Sequence, residues 1–182
     1  MATKYPLTSI SSIANRKVFF DANVLIYIFW PSGAHSWANY YSSAFSRLLK
    51  QGNELVVDFI VISEIVNRAH RLEYNKHLMT NEISKDALTY KQYRNSADGQ
   101  TALDDIYLII RTNILSNFTV VGKAFTKADI QSFLMVEPLD FADKGILMTC
   151  KEYACVLLTN DTDYKAADVD ILSSNPAILK HV

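Results

Sequence analysis

Glycine is scarce in this chain, with five residues in 182, and none belongs to the G-x-x-x-x-G-K-S/T pattern that cradles nucleotide phosphates, so a P-loop enzyme is excluded. Cysteine is scarcer still. Cys150 and Cys155 lie five apart in a periodic apolar segment, without C-x-x-C spacing and without a secretory signal upstream. They are expected to be reduced thiols of an intracellular, cytoplasmic protein. In apolar surroundings a thiol stays protonated, so a nucleophilic cysteine has no support. His35, His70, His77 and His181 show no metal-ligand spacing and suit surface or helix-end positions. Charge of one sign is not in excess either: 18 basic residues face 19 acidic ones. That balance excludes a bulk polycation, and any contact with nucleic acid must be local. Apolar runs such as Val24 to Trp30 are too short to span a bilayer, so no membrane role is expected.

What is present suits one domain over residues 1–182. Apolar residues make up 49 %, enough for a substantial core, and no linker or internal repeat divides the chain. Residues 1–15 read as a short extension. The stretch V-F-F-D-A-N-V-L-I-Y, Val18 to Tyr27, then sets a carboxylate at the end of an apolar run. Val18, Phe19 and Phe20 suit a strand of a parallel sheet buried on both faces. Ligands of open α/β sheets gather beyond the carboxyl ends of such strands, which places Asp21 at a site. The competing reading makes Asp21 the cap of the next helix.

Pro31, Ser32 and Gly33 break the pattern, and an amphipathic helix from Ser36 to Gln51 follows. Its stripe of Trp37, Tyr41, Ala44, Phe45, Leu48 and Leu49 reads as core rather than a base-stacking platform. Leu55 to Val57 form a second strand, and Ser63 is expected to cap a helix over Glu64 to Asn75, with Glu64 in its first turn and Arg68 as its i+4 partner. Two further helices are predicted, Glu82 to Arg94 and Thr101 to Asn117, with a turn at Ser96 to Gln100. A strand at Thr119 to Val121 and a short helix boxed by Thr126 and Asp129 follow. Asp140 caps the next helix, with Asp143 in its first turn. Cys155 to Thr159 is a fourth strand, ending in T-N-D-T-D, and Val169 to Leu172 a fifth. The order of strands and helices is that of an α/β fold with a parallel sheet.

Asp21, Glu64, Asp143 and Asp161 therefore stand at element ends that such a topology can bring together. Each is ordinary alone. Several carboxylates in one place repel and cost stability unless a cation sits among them. All-oxygen ligation suits Mg²⁺ or Mn²⁺ rather than Zn²⁺, and such ions on phosphate oxygens promote in-line displacement by water. A haloacid dehalogenase-like phosphatase also begins with an acid after its first strand, but needs a second Asp two residues on, where this chain has Asn23.

From Val18 to Leu172 the chain resembles the PIN domain nucleases, whose pattern is an ordered Asp, Glu, Asp and Asp. D-A-N-V-L-I is similar to the first motif, with Asp21 as metal ligand and Asn23 as its polar neighbour. I-S-E-I-V resembles the second, giving Glu64. The run from Asp143 to Asp161 is similar in spacing to the third acid, its helix, the next strand and a closing T-x-D, with Thr159, Asn160 and Asp161 at the site and Asp163 as an additional acid. The resemblance implies a three-layer α/β/α fold around a parallel sheet of four to five strands. It implies Mg²⁺- or Mn²⁺-dependent endonucleolytic cleavage of single-stranded or structured RNA by water. It also implies a VapC-like toxin, held by a cognate antitoxin and homodimeric. The alternatives are an RNA-processing nuclease outside a toxin system, or a catalytically silent binding module. The 78 residues between Glu64 and Asp143 exceed those of compact toxins, and 77–117 are read as a helical insertion that could serve as RNA arm, dimer surface or partner site. Candidate phosphate contacts by position are Arg68, Arg71, Lys144 and Lys165; Arg68 and Lys144 suit local salt bridges better, and Lys123 and Lys127 are open to either use.

Overall fold

The computed structural model describes residues 2–30 and 37–180, so the expected break at Pro31 to Gly33, the helix start at Ser36, and His35 and His181 lie outside the described residues. The sheet is all parallel. Its strands are β1 (Lys4–Pro6), β2 (Lys17–Phe20), β3 (Glu54–Asp58), β4 (Thr119–Val121), β5 (Val156–Leu158) and β6 (Ile171–Ser173), in the order β1-β6-β5-β2-β3-β4. In β2, Val18, Phe19 and Phe20 are all fully buried although successive side chains point to opposite faces. Both faces of the sheet are therefore covered, which is the three-layer arrangement.

Helices supply that cover. They are α1 (Ala22–Phe29), α2 (Ala38–Lys50), α3 (Phe59–Thr80), α4 (Tyr90–Arg94), α5 (Ala97–Ile109), α6 (Lys127–Phe133), α7 (Phe141–Glu152) and α8 (Pro176–Leu179). In α2, Tyr41, Ala44 and Leu48 are buried and Phe45 packs against the core, stacking on Phe118 and meeting Phe20 edge-on. The stripe is core, with Leu49 at its exposed margin.

Several expectations change. Among the described residues the sheet has six strands rather than four to five, because residues 4–6 pair in register with Ile171 to Ser173. Pro6, which cannot donate to a ladder, is tolerated on this edge strand. The third helix starts five residues earlier than expected. Its cap is Asp58, whose Oδ1 accepts the Val61 N–H at 2.9 Å, not Ser63, so Glu64 lies in the second turn. Residues 82–89 are turns rather than helix; Glu82 takes a positive φ, and only Tyr90–Arg94 coil, behind a capping box of Thr89 and Gln92. Ser96 caps α5, so residues 97–100 form its first turn instead of a loop. The helix ends in a π-helical turn, Ile110–Ile114, whose wide coil keeps Ile106, Ile110 and Ile114 buried at four-residue spacing. The far half of α3 builds a small second core with α4, in which Tyr74, Leu78 and Tyr93 are buried.

The topology determines where chemistry can sit. From β2 the chain steps to β3 and β4 on one side, and later returns to place β5 and β6 on the other. The strand order thus reverses between β2 and β5, and the crevice beyond their carboxyl ends is the switch point where ligands of such sheets bind.

Candidate active site

Asp21 follows β2 directly at this crevice. It occupies the N-cap position of α1, yet its side chain makes no capping bond. The carboxylate turns toward β5 instead. Thr159 Oγ1 donates to Asp21 Oδ2 at 2.5 Å and Asn23 Nδ2 donates to the same oxygen at 2.8 Å. Among the described residues no hydrogen bond falls on Oδ1. Asp21 is only 5 % exposed, and burial, together with the charges of Glu64, Asp143 and Asp161, pushes its pKa up to about 7 against the opposing pull of the Thr159 hydroxyl.

The other three acids arrive from separate elements. Glu64, half-buried on α3, binds Arg68 Nη1 through Oε1 at 2.8 Å. Asp143, in the first turn of α7, accepts the Tyr164 hydroxyl on Oδ1. Burial raises the Asp143 pKa to about 6; the Tyr164 bond opposes this, and Asp140, Asp161 and Glu64 add to it. Asp161 follows β5 and caps a short 3₁₀ helix, Thr162–Ala166, its Oδ1 accepting the Asp163 N–H at 3.0 Å. In each of the four carboxylates one oxygen is tied and the other takes no hydrogen bond among the described residues. The charges of Glu64, Asp143 and Asp161 act on Asp21, and those of Asp161 and Glu64 act on Asp143.

Among the described residues no three such side chains close into a ready-made metal cage. The donor set nevertheless fits Mg²⁺ or Mn²⁺. Mg²⁺ keeps several of its waters and needs only one or two direct carboxylates, with further acids reached through water. The acids with oxygens left untied are donors of that kind.

The remaining candidates divide. Asn23 and Thr159 are buried against Asp21, and Asn23 Oδ1 lies 3.4 Å from the Asn160 N–H. Asn160 Oδ1 accepts the Tyr41 hydroxyl at 2.9 Å, which fixes it from α2. Asp163 is exposed and joins the group through its backbone. Arg68 is exposed beside Glu64. Lys144 is 8 % exposed and turned inward; its Nζ donates to the carbonyls of Phe133 at 2.9 Å and Met135 at 2.5 Å and pairs with Glu137 at 3.1 Å. Arg71 stacks on the Tyr90 ring and Lys123 pairs with Glu152. A groove of about 580 Å³, lined by His77, Tyr93, Asp98 and Ile106 among others, contains none of the four acids.

Tyr41 and Tyr164 are the residues that sequence reasoning missed. Tyr164 is fully buried, and its pKa is driven far up, first by burial and then by Asp21 and Asp143. Its one sequence signal is position, three residues after Asp161 and so one 3₁₀ turn away.

The PIN domain profile matches residues 18–170, from the second residue of β2 to the residue before β6, and the chain belongs to the PIN domain family of nucleases. Two solved structures share the fold. A chain of VapBC2 from Rickettsia felis, crystallised bound to a DNA fragment from their promoter, is 12 % identical, with a TM-score of 0.50 over 86 % of this chain and 98 % of that one. A chain of FitAcB from Neisseria gonorrhoeae is 15 % identical, with a TM-score of 0.51 over 91 % and 99 % respectively. No curated protein matches the sequence. Among the described residues no helix is long and apolar enough to cross a membrane.

Proposed function

We propose that this chain is a divalent-metal-dependent endoribonuclease that hydrolyses phosphodiester bonds of single-stranded or structured RNA, and that it is the toxin of a toxin–antitoxin pair. The observation that carries the reading is the set of four carboxylates at the switch point, whose charges meet at Asp21, each with one oxygen tied and, among the described residues, one without a hydrogen bond. Asp21, Glu64, Asp143 and Asp161 are the acids assigned to Mg²⁺ or Mn²⁺, with Asp163 as an outer acid. A bound ion of this kind neutralises phosphate charge and makes water acidic enough to serve as nucleophile.

The chain's own residues do the rest. Thr159 and Asn23 hold Asp21 Oδ2, so the carboxylate enters the reaction already oriented. Asn160, fixed by Tyr41, directs its backbone N–H to Asn23 Oδ1 at 3.4 Å and so helps to hold the Asn23 amide in place. Arg68, exposed and paired with Glu64, is assigned as the cation that meets a backbone phosphate. The likeness in fold to chains of VapBC2 and FitAcB supports a toxin held by a cognate antitoxin. A homodimer working in the cytoplasm is assigned with it. Residues 77–117 are assigned as a helical insertion in a single domain.

Purified protein should cleave RNA oligonucleotides with Mn²⁺ or Mg²⁺, stop with EDTA, and lose cleavage in Asp21→Asn while the fold is retained. A clean preparation that leaves several RNAs intact under both metals overturns the proposal.

A further inference from the structure

Tyr164 stands on the 3₁₀ helix that Asp161 caps, and its hydroxyl reaches across to Asp143 on α7. The residue is fully buried, so the phenol occupies one fixed place. A neutral phenol carries a single proton, and a carboxylate can only accept, so the direction of this bond is settled. Asp143 needs such a tie. It is half-buried and repelled by Asp140, Asp161 and Glu64, and a carboxylate in the first turn of a helix relieves repulsion by rotating into water. The bond holds Oδ1 in place, and among the described residues Oδ2 takes no hydrogen bond. It also joins the turn that positions Asp161, after β5, to the first turn of the helix that positions Asp143, before β5, across the end of that strand.

We propose that Tyr164 is a positioning residue for the cation site: its buried hydroxyl fixes the Asp143 carboxylate and couples it to the Asp161 turn, so that the site binds a divalent ion more tightly than its acids would unaided. This rests on the reading of Asp143 as a ligand. Partners of metal-binding carboxylates commonly change metal affinity by about 10- to 100-fold when removed.

The test is Mn²⁺ affinity of the full chain, measured by calorimetry or by electron paramagnetic resonance of free Mn²⁺, for the native protein, Tyr164→Phe, Asp143→Asn and the double variant. Tyr164→Phe should weaken Mn²⁺ binding about tenfold while the melting temperature of the metal-free protein stays close to native. In the Asp143→Asn background the same change should do nothing further. If Asp143→Asn binds Mn²⁺ like the native chain, the assignment of Asp143 fails. If Asp143→Asn is weakened but Tyr164→Phe is not, only the role of Tyr164 fails. Should Tyr164→Phe not fold, the native chain labelled with ¹³Cζ-tyrosine answers the same question. Mg²⁺ should move the Tyr164 resonance, and a resonance unmoved at saturating Mg²⁺ overturns the proposal.

Discussion

Thr159 Oγ1 lies 2.5 Å from Asp21 Oδ2, joining the ends of two adjacent parallel strands across the crevice where the sheet order reverses. The bond does two things. It orients the carboxylate, and it stabilises the ionised form against the burial that would otherwise keep Asp21 protonated.

Thr159→Val keeps the volume and removes the donor, so Asp21 should hold its proton to higher pH. A hydrogen bond to a charged group contributes about 1.5–3 kcal/mol, which corresponds to about one to two pH units. The acid limb of the pH–rate profile for RNA cleavage should move upward by that amount, with activity at pH 7 down about 5- to 50-fold from a group that is half ionised there. Thr159→Ser should restore both. An unmoved acid limb in the valine variant would show that Asp21 does not control it.

The buried strand V-F-F and the acids at element ends were legible because a parallel sheet buries both faces and writes its strands as unbroken apolar runs. The junction at D-F-I-V-I was not. Asp58 follows three buried residues and precedes further apolar ones, so the strand and the helix share one hydrophobic run and the single polar cap between them does not stand out. Strand β1 is three residues with a proline, and only its register with Ile171 to Ser173, at the far end of the chain, makes it a strand. Gly99 reads locally as a turn residue, but lies inside α5 where another backbone leaves no room for a side chain. Tyr164 carries only its place three residues after Asp161 until α7 is seen beside it. Contacts between distant segments are the part of the site that local periodicity cannot carry.

Asp21 and Asp143 should make the metal-free protein less stable as pH rises. Folded Asp21 titrates at about 7 against an ordinary value of 3.8, so the folded state holds a proton that the unfolded chain gives up between pH 4 and 7. Stability from this group is full below pH 4 and falls through pH 7, by a total on the order of 4 kcal/mol. Asp143, at about 6, acts in the same direction. Asp21→Asn should flatten the decline of melting temperature across pH 4–7, and Mn²⁺ should raise the native melting temperature more at pH 7.5 than at pH 5. Equal slopes for variant and native protein would remove Asp21 as the cause.

Gly99→Ala should destabilise the helical segment over 77–117. A Cβ at this position would lie 1.9 Å from the Tyr93 carbonyl oxygen and 2.7 Å from its carbon, and both atoms are backbone. The same turn carries the Gly99 carbonyl that accepts from His70 Nε2 at 3.0 Å, the bond linking α3 to α5. A loss of about 2–3 kcal/mol in urea unfolding is expected, with Mn²⁺ affinity per folded molecule unchanged. Weakened Mn²⁺ binding in a folded variant would mean that this segment and the acids are coupled.

Arg68 and Lys144 should separate in the salt dependence of RNA binding. Each single-strand phosphate contact contributes about −0.7 to the slope of log K against log salt. Measured in the Asp21→Asn background to prevent cleavage, Arg68→Ala should make the slope shallower by about 0.7, because its exposed guanidinium can turn from Glu64 to a phosphate. Lys144→Met should leave the slope unchanged, since Lys144 Nζ is buried against the Phe133 and Met135 carbonyls and Glu137. Its cost should fall on stability instead, about 1–3 kcal/mol for carbonyls left without a donor, with faster proteolysis across residues 134–137. A shallower slope in a fully stable Lys144→Met protein would place that ammonium on the RNA and require the loop it holds to open on binding.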